Sequence, residues 1–133
     1  MTTHEFPNKE TLEEYAKTLE RFAEVEITNF ALVLGQELLA NQIPVTHLMV
    51  ETAFVVDRPV GSILVMVDAD EEQTTRINRM AHQALGNLLR QEVHVLEIQS
   101  LFVLGSTDPV TQDPKHYFPG AKEIFPKIQS ELL

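Results

Sequence analysis

Cysteine is absent from the 133 residues, which excludes disulfides, thiolate metal sites and cysteine nucleophiles. Basic residues are scarce: ten Lys and Arg face twenty Asp and Glu, for a net charge of −10. Such a chain repels the phosphate backbone on average, so nucleic acid is not an expected partner. Glycine is sparse, with five residues scattered at Gly35, Gly61, Gly86, Gly105 and Gly120, and no glycine-rich phosphate loop exists. No apolar run approaches the roughly 20 residues of a membrane span. The N-terminus has no basic stretch followed by an apolar one, so no signal peptide is expected and the expected setting is cytoplasmic. No GxSxG elbow is present. The five histidines, His4, His47, His82, His94 and His116, form no HxH, HExxH or HxxxH pair, so the spacing of a metal site is missing and no cofactor is expected.

What is present is ordinary globular material. Hydrophobic residues make up 44% and charged residues 23%, which argues against disorder and low complexity. The length suits a single domain spanning residues 1–133. Leu12, Tyr15, Ala16, Leu19, Phe22 and Ala23 recur at steps of three and four, the period of a one-sided helix over Thr11 to Glu26, with Thr11 and Glu14 spaced as a capping box. Residues 27–42 fit a second helix ending near Asn41, or a buried strand over Ile27 to Leu34. His47 to Val56 alternates as a strand, Arg58-Pro59-Val60-Gly61 suits a type I turn, and Ile63 to Val67 is a second strand, apolar on both faces. The segment from Asp70 to Gln91 opens with an N-cap, carries Glu71 and Glu72 where the helix dipole favours acids, and has an apolar stripe of Ile77, Met80, Ala81, Ala84, Leu85, Leu88 and Leu89. Val93 to Leu104 reads as a third strand, bulged around Gln99-Ser100, with Leu96, Ile98, Phe102 and Leu104 on one face. A loop from Gly105 to Pro114 and an apolar tail follow, with a short helix expected from about Lys122. The fold class is therefore α+β and two-layered. A small mixed or antiparallel sheet, formed by a hairpin over 47–67 and a strand over 93–104, carries helices on one face.

Four groups carry candidate chemistry. Asp68, Asp70, Glu71 and Glu72 resemble the start of a calcium loop, but Gln73 stands where glycine is required and no Glu closes the loop. They read as a cap with acids on a helix dipole. His47 and His94 meet only if their strands are neighbours. Arg76, Arg79 and Arg90 form a stripe for an anion or an acidic partner, against the plainer reading of a solvated face. The tail over 106–133, with Tyr117, Phe118, Ile124, Phe125 and Ile128, has more apolar residues than a loop needs. It either covers its own sheet or docks on a second subunit, because large exposed apolar patches are rare on monomers.

From Leu48 to Leu104, the apolar strand from Ser62 to Asp68, the Asp70-Glu71-Glu72 opening and the helix to Arg90 resemble the C-terminal domain of the enhanced-serine-sensitivity (SseB) family. That resemblance implies no defined catalytic residues. Size and acidity also resemble class I type III secretion chaperones, acidic homodimers that bind extended client segments. The strand–strand–helix–strand order is similar to small RNA-binding domains, but the −10 charge and the missing GxxG loop oppose that function. The reading is a cytoplasmic, non-enzymatic protein–protein interaction domain that forms a homodimer. One alternative is an acidic chaperone or adaptor for a protein client, which an exposed strand edge would favour. Another is a small-ligand binder or weak hydrolase using carboxylates near Asp68 with His47 or His94, which a pocket where they converge would favour.

Overall fold

The computed structural model describes residues 9–55, 58–91 and 93–124. Helix α1 runs unbroken from Lys9 to Ala40, where the sequence suggests two elements. No proline interrupts it, and Ala23, Ile27, Phe30, Ala31, Leu34 and Leu38 are all buried in one phase, so nothing favours a break near Ile27. The helix is already formed at Lys9, which puts Thr11 inside the first turn and not at the cap. At the other end Gln42 adopts the left-handed region with φ 63°. The Ile43 N–H donates to the Leu38 carbonyl at 3.0 Å and the Gln42 N–H to the Leu39 carbonyl at 2.9 Å. This is a Schellman ending with glutamine at the position that usually takes glycine.

Strand β1 (Val45–Val55) pairs antiparallel with β2 (Arg58–Val67). Val55 stands opposite Arg58 and Phe54 opposite Pro59. Residues 56–57 lie outside the described residues, and the expected turn at Arg58 to Gly61 is strand. Gly61 serves packing here. A Cβ on it would lie 2.8 Å from Ile27 Cδ1 and 3.2 Å from Leu96 Cδ2, so only glycine lets α1 approach the sheet this closely.

Helix α2 (Glu71–Gln91) follows. Its start is a capping box: the Gln73 N–H donates to Asp70 Oδ1 at 2.8 Å, and the Asp70 N–H reaches Gln73 Oε1 at 3.4 Å. Ile77, Ala81, Ala84 and Leu85 are buried, but Met80 is 40% exposed and falls outside the stripe. The chain returns as β3 (Glu97–Leu104), parallel to β2. Short helices α3 (Pro109–Gln112) and α4 (Pro114–Tyr117) lead to β4 (Lys122–Glu123), which pairs with β1. A strand thus stands at Lys122–Glu123, where a short helix is expected to begin, and the rest of that expected helix lies outside the described residues. The sheet is mixed, in the order β3-β2-β1-β4, and the fold is α+β.

The bulge in β3 has a consequence for its faces. Gly61 pairs with Ile98 but Ser62 pairs with Ser100, leaving Gln99 as the extra residue. A single inserted residue reverses the side-chain alternation beyond it. Leu101 and Val103 therefore join Leu96 and Ile98 in the core beneath the helices. Phe102 and Leu104, expected on that same face, lie on the opposite one. There Leu104 packs with Met49, Leu64, Met66, Ala121, Val110 and Phe118. The outer face of the sheet is thus covered by the chain's own 105–121 segment, and β2 is buried on both sides.

Candidate functional site

Among the described residues two surfaces are left uncovered, and each follows from how an element is anchored. The first is the leading half of α1. A 32-residue helix is about 48 Å long, whereas the 11-residue β1 spans only about 36 Å. From Glu13 to Phe22 no residue is buried; Ala16 and Leu19 are half-buried, and Ala23 is the first core residue. Tyr15, Phe22 and Val25 are 64%, 60% and 58% exposed. The expected apolar stripe is thus real in sequence but lies in water over its first half. Tyr15, Leu19, Phe22, Glu26 and Val33 follow steps of four, three, four and seven, so they share one helix face.

Below this arm the helix is tied down. Glu26 accepts from the Val95 N–H at 3.0 and 3.1 Å and from the Leu96 N–H at 2.9 Å. That carboxylate holds a bend at Val95 and Leu96, so β3 begins at Glu97 and not at Val93. Lys122 Nζ reaches Glu24 Oε1 at 3.1 Å. Beside Glu26, a groove of about 200 Å³ runs between α1 and the end of α2, lined by Asn29, Phe30, Val33, Leu88 and Val93. Val33, Val93 and Val95 are exposed around it.

The second surface is the outer edge of β3. One side of the strand pairs with β2, and the strand ends the sheet. A groove of about 680 Å³ separates the edge from the first half of α2, with Thr74, Thr75, Asn78 and His82 on the helix side. It continues as a second groove of about 440 Å³ past Leu85, Gly86 and Leu89 toward Ile98. Both share His82, Leu101 and Phe102.

The sequence-nominated residues are distributed differently. Phe118 packs on the outer sheet face, with its ring centroid 5.7 Å from that of Phe102. Ile124 is buried in the main core, and its N–H donates to the Leu48 carbonyl at 2.8 Å. Tyr117 is about half exposed, edge-on to His116. Phe125 and Ile128 lie outside the described residues. Arg76 reaches Glu72 at 3.8 Å, Arg90 donates to Asn87 Oδ1 at 2.6 Å, and Arg79 is exposed. The three share the solvent side of α2, and none lines the grooves beside β3.

His47 and His94 are not brought together. β2 separates β1 from β3, and His47 sits opposite Met66 while β3 begins opposite Val60, at the other end. His47 Nδ1 lies 2.5 Å from Glu123 Oε1. His94 Nδ1 lies 2.7 Å from the Leu96 carbonyl, with its ring edge-on to Phe30. Asp68 accepts from Ser106 Oγ at 2.9 Å, and Asp70 serves as the α2 cap. Among the described residues, no three His, Asp or Glu side chains gather to hold a metal ion, and no helix is long and apolar enough to cross a membrane. Neither uncovered surface is expected from the sequence. The excess of helix length over strand length signals the first, and the bulge signals the rearranged faces of β3.

No family model and no curated protein matches the sequence. Among solved structures, a triply substituted MamM CTD is similar over 62% of this chain and 93% of its own, at 19% identity and a TM-score of 0.38.

Proposed function

We propose that this chain is a non-enzymatic protein–protein interaction domain that forms a cytoplasmic homodimer through the leading half of α1. The observation that carries the reading is the stretch from Glu13 to Phe22, which is helical yet buries no residue while presenting Tyr15 and Phe22 to water. Helices gain most of their stability in water from packing an apolar face. A projecting arm with such a face needs cover, and the described residues of its own domain supply none.

A second copy suits the arm because its apolar stripe is self-complementary. Antiparallel crossing of two copies near Thr18 places Tyr15 beside the other copy's Phe22, while Lys17 and Glu20 lie on the far side of each helix and stay in water. A closed two-fold contact repeats the pairing. The outer sheet face and the segment over it are already engaged with each other, which leaves the arm as the better interface.

Light scattering on the intact chain should give about twice the 15.1 kDa of one chain. Phe22→Glu should give a monomer whose core still unfolds cooperatively, with no more than the arm's share of the helical circular-dichroism signal lost, since Phe22 is no part of the core. A wild-type monomer at high micromolar concentration would overturn the proposal, as would a Phe22→Glu dimer of unchanged affinity.

A further inference from the structure

We infer that the free edge of β3 binds an extended polypeptide segment of a different protein by strand addition. The segment has apolar side chains at alternate positions and a lysine or arginine at one end. Three independent features point to this occupant.

The first is the edge itself. Exposed edges are normally blunted by charge, proline or cover. From Ile98 to Leu104 this one carries neither a charged residue nor a proline. Beyond the bulge, residues Ser100 to Leu104 keep unbroken register with β2. That leaves a regular outer row of backbone donors and acceptors, and among the described residues no backbone bond outside the sheet engages 100–104.

The second is the trough beside it. The two grooves share His82, Leu101 and Phe102 and so run on as one channel between β3 and α2. A strand laid against β3 sends alternate side chains to opposite faces of the sheet. One set meets Leu85, Leu89 and Leu101 on the α2 side; the other meets Phe102, which is 39% exposed beside Phe118. This is the arrangement in which main-chain bonds supply affinity and alternate pockets supply selectivity.

The third is charge. The acids Glu71 and Asp108 line the trough where β3 ends, and no Lys or Arg lines either part of it. Asp68, Asp70 and Glu72 stand at the same end of the molecule and reinforce that sign, on a chain of net charge −10. A cationic end of the segment is therefore favoured there, and an acidic segment, including much of this chain's own surface, is disfavoured.

The test is selection of a random dodecapeptide display library on the intact chain. Enriched peptides should alternate apolar residues and carry Lys or Arg toward one terminus. A synthetic copy of one should shift the backbone amide resonances of Ser100 to Leu104. Thr75→Arg, an exposed trough residue whose hydroxyl serves only the Glu71 carbonyl, should weaken it at least tenfold. Phe22→Glu should leave its affinity unchanged, which separates failure of this inference from failure of the homodimer. No enrichment over the Thr75→Arg chain overturns the inference, as do amide shifts confined elsewhere. A Thr75→Arg chain that loses its dimer also overturns it, because the edge then belongs to a second copy.

Discussion

Replacing Gly105 by alanine isolates a purely steric demand. No glycine in the described chain has a positive φ, so an alanine here is not disfavoured by its backbone conformation. Its Cβ, however, would lie 2.4 Å from Thr74 Oγ1 and 2.9 Å from the Ala69 carbonyl oxygen. Thr74 can turn away only by giving up its 2.6 Å bond to the Asp70 carbonyl, a loss of about 1 kcal/mol. The Ala69 carbonyl belongs to the backbone, and it also accepts from the Ser106 N–H at 3.1 Å, so it cannot swing aside. Overpacking of this kind costs about 1–3 kcal/mol, offset by about 0.4–1 kcal/mol because alanine restricts the unfolded chain. The net expectation is a destabilisation of about 2 kcal/mol, a shift of roughly 1 M in the urea midpoint at an ordinary slope. Gly61→Ala is the comparison. Its Cβ meets the ends of Ile27 and Leu96, which can repack, so it should cost about 1 kcal/mol less than Gly105→Ala. In a Thr74→Ala background the Gly105→Ala penalty should fall but not vanish, since the carbonyl contact remains. All variants should be unfolded at one protein concentration, because association shifts apparent stability. Equal midpoints for the two glycine variants, or no relief from Thr74→Ala, would refute the reasoning.

Three further outcomes are expected. Glu26→Ala should lower stability by about 2 kcal/mol and Glu26→Gln by about half of that, because the carboxylate accepts three close contacts from the Val95 and Leu96 N–H groups; hydrogen exchange should quicken at Leu96 first. Gln42→Gly should raise the unfolding midpoint, by a few tenths to about 1 kcal/mol, because it removes a side chain from the left-handed region; a lower midpoint would contradict the Schellman ending. Leu85→Ala, at a buried position, should cost about 2–5 kcal/mol, whereas Gln83→Ala on the exposed side should change stability by less than about 0.5 kcal/mol in denaturant titration.

Local chemistry made much of the fold legible. The Asp70–Gln73 cap, the phase of α2 apart from Met80, and the alternation of β1 all rest on residues a few positions apart, so the sequence by itself determined them. The α+β class follows from those elements. It also determined that one extra residue stands near Gln99. Other features depended on distant partners. The continuity of α1 through Ile27 was decided by a core stripe that only the sheet defines. Gly61 reads as a turn glycine until α1 and Leu96 crowd its α-carbon. The bulge redirects Phe102 and Leu104 to the outer face, a parity that pairing with β2 decides. His47 and His94 were separated by strand order, which no spacing along the chain encodes. The same holds for the two uncovered surfaces. An apolar stripe looks alike in sequence whether or not a sheet lies beneath it, and β3 is an edge only because β4 joined the far side of β1. Burial and strand order are properties of the whole chain brought together, so only the tertiary structure could decide them.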